Sequence, residues 1–272
     1  MQEQHISLYA LTSSFIKNKA LILAMTKRDI SSRYRGSAIG LLWSFFNPLF
    51  MLAVYTFVFS VVFRAKWGGT EGSRTEFALM LFSGLIVFNL FAECINRAPS
   101  LIVSNVSYVK KVVFPLEIFP WISLGSALFH ALISMSVWLA AYLIFFGIPH
   151  VTVLLLPIAI IPLLLFTAGA SWVLASLGVY LRDISQITSI ITTMLMFMSP
   201  IFYPITAIPE KIRPIFMLNP LSPVIEQVRD LAYFGRMPNI GLWLVTLLIS
   251  VLVLWLGFFW FQKTRRGFAD VI

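Results

Sequence analysis

Charge is scarce in this chain. Of its 272 residues, 11% are Asp, Glu, Lys or Arg and 59% are hydrophobic, whereas soluble domains carry about 25% charged residues. No charged side chain occurs from Gly36 to Phe63, and no Asp, Glu, Lys or Arg from Ile118 to Leu181. A water-soluble fold is excluded on that ground. Cys94 is the single cysteine, so an intramolecular disulfide is impossible. His5, His130 and His150 are far apart and form no Cys/His cluster. There is no G-x-x-x-x-G-K-[ST] loop to cradle phosphates and no H-E-x-x-H. No internal repeat is evident, which counts against repeat-built secondary transporters. No cleavable signal peptide is expected, because the first long apolar run starts near residue 36 without a small-residue cleavage site.

What is present is a set of long apolar runs. A bilayer core takes about 20 apolar residues per helix, and backbone in lipid must satisfy its own hydrogen bonds as helices or a closed barrel. Continuous runs, not short alternating ones, select helices. The sequence therefore predicts an all-α polytopic membrane protein with six transmembrane helices, near 38–63, 77–96, 118–146, 151–181, 184–203 and 239–261. Residues 1–272 read as a single transmembrane domain. It consists of a 1–37 cytoplasmic interfacial segment, a 38–262 six-span bundle and a 263–272 cytoplasmic tail. Apolar residues recur at helical spacing among Ser, Thr, Asn and Lys in residues 6–25, which predicts an N-terminal interfacial helix. Pro48 should kink the first span, and Pro157 and Pro162 the fourth. The Pro-rich stretch 204–238 should hold short outer helices between spans five and six.

The net charge of +9 does not signal nucleic acid, because the basic residues cluster at span ends. The run Lys27-Arg28-Asp29-Ile30-Ser31-Ser32-Arg33-Tyr34-Arg35 abuts the first span directly. Lys and Arg near span ends are retained on the cytoplasmic side. Six of them in residues 1–38, three in 97–111, Arg182 and three in the tail read as inside, against seven outside. Both termini are therefore expected in the cytoplasm.

Catalytic and ion-coupling groups are sparse within the spans. Glu93 and Glu117 sit at span edges and are expected to pair with Arg97 or with Lys110 and Lys111. His130 lies mid-span, where a proton relay and a hydrogen bond to a neighbouring helix are both open readings. Glu210, Glu226 and Asp230 stand beside Lys211, Arg213 and Arg229, which suits solvated ion pairs. Aromatics are abundant, at 15%. Trp43, Phe46, Tyr55 and Phe59 in the first span, and Phe197, Phe202 and Tyr203 near the fifth, could stack on sugar rings. Lipid-facing packing is the other reading of the same residues.

Several ordered motifs resemble those of the ABC-2 type polysaccharide exporter permeases. They are Arg28-Asp29, Arg33-Tyr34-Arg35-Gly36-Ser37, Gly40-Leu41-Leu42-Trp43, Asn47-Pro48-Leu49, Val109–Pro115, Ala175–Ile184, Ser199–Pro204 and Leu218–Pro223. The resemblance covers nearly the whole chain. It implies a bacterial inner-membrane permease working as a homodimer with two copies of a separate ATPase. No cofactor is expected in this chain; ATP and Mg would bind the partner. The cargo implied is a lipid-linked glycan such as O-antigen, capsule or teichoic acid. On this reading Arg33 and Arg35 would meet a lipid-carrier phosphate, or serve only topology and anionic lipid. Arg97, Asn105, Tyr108, Lys110 and Lys111 would lie at the coupling surface for the ATPase. Export of a small molecule or drug, and a membrane-embedded enzyme or secondary carrier, are the competing readings.

Overall fold

The computed structural model describes residues 8–59, 74–110 and 114–272. Regular structure among them is entirely helical. In chain order the α-helices are α1 (Leu8–Arg33), α2 (Trp43–Phe57), α3 (Arg74–Arg97), α4 (Val106–Lys110), α5 (Phe119–Phe146), α6 (Leu156–Ala159), α7 (Ile161–Tyr180), α8 (Ile184–Met198), α9 (Arg213–Met217), α10 (Leu221–Arg229), α11 (Ile240–Thr264) and α12 (Phe268–Val271).

Five helical stretches are long and apolar enough to cross a membrane: Gly40–Phe57, Thr75–Ser100, Leu116–Phe146, Val151–Tyr180 and Ile240–Val271. The stretch expected as a fifth span, 184–203, holds a shorter helix, Ile184–Met198. Fifteen residues extend roughly 22 Å at 1.5 Å each, less than a hydrocarbon core of about 30 Å. The reason lies in the sequence. Pro200 pushes its predecessor out of the helical region, and Ser199 is extended at φ −94°, ψ 148°. The prolines of the fourth stretch act as expected. Pro157 and Pro162 each sit in the first turn of a helix, and the chain breaks between them at Ile160. Gly147 makes the turn before it, at φ 84°. The expected first outer loop, with Arg64, Lys66 and Glu71, lies outside the described residues.

α3 is the central helix and is buried along most of its length. α5, α2, α8, α7 and α10 pack around it, and α1 lies on α5. α7 and α11 form a tight pair. A Cβ on Gly257 would overlap the Gly169 carbonyl, and one on Gly169 would stand 2.5 Å from the Val253 oxygen. Small residues let membrane helices approach to backbone contact in this way. The C-terminal tail is drawn in as well: Phe268 is fully buried against Phe261.

The segment 204–238 contains short helices, as the prolines require. α10 is largely buried, with Arg229 2% exposed. The Arg229 Nε donates to the Met80 carbonyl at 3.1 Å, Nη2 to Ile201 at 2.8 Å, and Nη1 to Pro200 and Glu226. The solvated ion pair expected of Arg229 is not what forms. Arg229 is instead the bolt between α10, α3 and the end of α8, because three backbone carbonyls converge where only a planar five-donor group can serve them.

Candidate functional site

A cavity of about 690 Å³ opens between α2, α3, α5 and the C-terminal end of α1. α3 contributes the decisive wall. In a helix otherwise buried, Asn89 and Asn96 are exposed and Glu93 is half-buried. These positions recur at i, i+4 and i+7 and so form one face. That face lines the cavity opposite Trp43, Asn47 and Tyr55 of α2. Polar side chains on one stripe of an apolar spanning helix face a water-filled space or a partner, not lipid. Reading the sequence for charge and aromatics misses Asn47, Asn89 and Asn96, although the seven-residue spacing of the last two is a usable signal.

The mouth of the cavity is an ion-pair network between α1 and α3. Arg97 binds Asp29 through two hydrogen bonds, at 3.0 and 2.8 Å. Arg33 binds Glu93 at 2.5 Å and lies 3.5 Å from Asp29. Asp29 and Arg33 are four residues apart on α1, as are Glu93 and Arg97 on α3. Both pairs read acid then base. Only an antiparallel meeting of the two faces sets each acid against a base, which is the arrangement found. Ser126 of α5 donates to Asp29 at 2.7 Å. The partners expected for Glu93 and Glu117 therefore need correction. Arg97 goes to Asp29, because the end of α1 inserts between residues one turn apart on α3. Glu117 goes to Arg265 at 2.6 Å, because α12 and the turn before it fold back. Lys111 lies outside the described residues.

His130 completes the network. Its Nδ1 lies 3.0 Å from Glu93, and its Nε2 lies 3.0 Å from the Tyr34 hydroxyl. A neutral ring satisfies both contacts, with Nδ1–H donating to the carboxylate and Nε2 accepting from Tyr34. The hydrogen bond to a neighbouring helix expected of His130 is present, to Glu93 of α3. The network sets two acids, Asp29 and Glu93, against two arginines, Arg33 and Arg97.

Burial alone would raise the Asp29 carboxyl. The hydrogen bonds from Arg97 and Ser126, and the charges of Arg97 and Arg33, outweigh it and hold Asp29 below its ordinary 3.8. A depressed carboxylate contributes stability that is complete above its unfolded pKa and lost as pH falls through the folded value. Asp29→Asn is expected to cost about 1.5–3 kcal/mol near neutral pH. The gap in thermal midpoint from the parent, measured in detergent, should close as pH drops below 3.8. A gap constant with pH would rule this out.

The other expected site residues divide. Trp43 and Tyr55 line the cavity; Phe46 does not, and stacks on Phe50 at 6.0 Å. Phe59, Phe202 and Phe197 form a run of rings, at 6.5 Å and then 5.9 Å. The Tyr203 hydroxyl donates to the Phe197 carbonyl at 2.6 Å. Arg35 is exposed on the turn after α1 and makes no ion pair among the described residues. Arg97, Asn105 and Tyr108 share a second, smaller cavity of about 290 Å³ beside α1. There Arg28 reaches the Tyr108 hydroxyl at 3.5 Å. Lys110 is exposed at the end of α4.

Comparison with known proteins places this architecture. The chain is 27% identical to the O-antigen export system permease protein RfbA of Myxococcus xanthus, over 96% of this chain and 99% of that protein. It is 29% identical to the RfbA of Klebsiella pneumoniae, over 93% and 95%. It is 24% identical to the polysialic acid transport protein KpsM of Escherichia coli, over 80% and 83%. The model of the ABC-2 type transporter family matches residues 20–233, and this chain belongs to that family.

Proposed function

We propose that this chain is the membrane permease subunit of an ATP-driven exporter that moves a lipid-linked polysaccharide out of the cytoplasm. The observation that carries the reading is the polar stripe of α3, open to a cavity that also holds Trp43 and Tyr55. Amides and hydroxyls suit the hydroxyls of a sugar, and aromatic faces suit its apolar side. Among the described residues no ion-coupling carboxylate stands alone there: Glu93 and Asp29 are both paired with arginine. Energy is accordingly assigned to a partner ATPase, two copies to a homodimer of this chain, with ATP and Mg on the partner.

The chain sits in the bacterial inner membrane with both termini cytoplasmic, and α8 with the residues after it makes the fifth of six crossings. The second copy faces the apolar, exposed sides of α2 and α8, which include Phe50, Phe57, Ile190 and Met194. Arg97, Asn105, Tyr108, Lys110 and Lys111 belong to the coupling side, where Lys110 is exposed and makes no ion pair among the described residues. Arg35 is the first contact for a carrier phosphate, since Arg33 must leave Glu93 to reach one. The short helices of 204–238 close the outer mouth. Trp43, Tyr55, Phe59, Phe197, Phe202 and Tyr203 flank the path, and Phe46 lies beside it.

The test is export in cells. Removing this chain, or disabling ATP hydrolysis by the partner, should abolish surface glycan and leave lipid-linked polymer inside. Surface glycan persisting without either one would sink the reading.

A further inference from the structure

Helix α1 packs along α5, and three contacts mark the seam. Phe15 meets the edge of Trp121 at 5.0 Å. Thr26 packs on Gly125 so closely that any Cβ there would come within 2.9 Å. Asp29 accepts from Ser126. Beside these contacts, between α1, α5 and the start of α7, lies a groove of about 760 Å³. Ligand pockets are typically about 300–1,000 Å³. Its walls are largely apolar, including Leu23 and Ile30 of α1, Leu128 and Leu132 of α5, and Ile161 and Leu165 of α7. Lys27 is the one charged residue that lines it, with Ser31 a turn away. Lys27 has no carboxylate partner among the described residues.

Two arguments fix the occupant. The α5 and α7 walls belong to helices long and apolar enough to span a membrane, so the groove opens on hydrocarbon. A void in lipid is filled by lipid, and side chains that face it lose their dispersion contacts if it is empty. The single ammonium at the rim then supplies charge complementarity. A lysine near the membrane surface attracts an anionic headgroup by about 1 kcal/mol.

We propose that this groove is a binding site for one anionic glycerophospholipid. An acyl chain fills the space behind α1 and the phosphate rests on the Lys27 ammonium. The lipid holds α1 against α5. Holding α1 in place also holds Asp29 and Arg33, which lie further along the same helix and pair with Arg97 and Glu93 at the cavity mouth. The site is separate from that cavity, and the proposal does not depend on what the cavity carries.

The full chain, inserted into nanodiscs of equal phosphatidylglycerol and phosphatidylcholine, is released and weighed by native mass spectrometry. One phospholipid per chain should survive activation that strips the others. Phosphatidylglycerol should be preferred about fivefold, the ratio that one lysine supplies. Lys27→Gln should bring that preference to about one. Leu132→Trp, at a position 67% exposed, should fill the groove and remove the retained lipid of either kind. No retained lipid in the parent, equal retention of the two lipids in the parent, or unchanged retention in Leu132→Trp would each overturn the proposal. If Leu132→Trp fails to fold, Lys27→Gln decides alone, and an undiminished preference overturns it.

Discussion

Replacing Arg229 with Met is expected to destabilise the protein by about 3 kcal/mol or more, since orphaned buried acceptors cost roughly 1–3 kcal/mol each. The guanidinium is 2% exposed and serves the carbonyls of Met80, Pro200 and Ile201 together with Glu226. Met keeps an unbranched apolar stem but donates nothing. The carbonyls of Pro200 and Ile201, which follow the end of α8, then lose their buried donors. Lys should rescue only in part, because one ammonium cannot reach carbonyls on three sides in a fixed fork. Gly84→Ala is a useful companion: its Cβ would stand 2.8 Å from the guanidinium. That group is the far end of a flexible chain, so the loss should be smaller than for Arg229→Met. Thermal unfolding in detergent, with limited proteolysis across 204–238, reads both effects. A midpoint for Arg229→Met equal to the parent's would show that the outer segment is held by apolar packing alone.

Asn89→Trp is expected to reduce transport at least tenfold while leaving the fold intact. Asn89 is the exposed residue in the middle of the buried helix α3 and lines the cavity. Its substitution removes no core contact, and changes at such positions usually stay within about 0.5 kcal/mol. The indole instead occupies the space that cargo must pass. Asn89→Ser keeps a polar group without the bulk and should transport normally. The pair separates blockage from loss of an amide contact: if both variants fail, the amide itself is required. Normal transport by the Trp variant would place the path elsewhere. Membrane insertion and thermal midpoint provide the controls.

The bundle is largely legible in the order of residues. Five of the six expected spans, near 38–63, 77–96, 118–146, 151–181 and 239–261, overlap helical stretches long and apolar enough to cross. Prolines mark where helices start and stop. The candidate site is legible only in pieces. Trp43, Tyr55, Arg33 and Arg97 stand out separately, for aromaticity or for charge, and the fold brings all four to one cavity. Neither property anticipates that meeting. Sequence proximity misassigns the partners of the acids, since it favours residues one turn apart. Asp29 and Arg97 are 68 positions apart, and nothing local announces their pairing. Arg229 shows the same limit. Beside acids in sequence it looks solvated, and only the convergence of three carbonyls from distant segments explains its burial.

What the chain is made of follows from its residues taken in order: helices that satisfy their own backbone in lipid, basic ends that orient them, and no loop built to cradle a nucleotide. Hydrophobicity and charge dictate these features, and both act locally, without knowledge of neighbours. Packing in three dimensions settles which charges cancel, which polar face stays open and where α1 leaves a gap. These depend on helix rotation and register, set by close approach at Gly169, Gly178, Gly257 and Gly125. A modest rotation about α3 separates a buried Asn89 from one that lines a path. Neither helix propensity nor hydropathy determines that angle, because it is a relation between helices and not a property of any one of them.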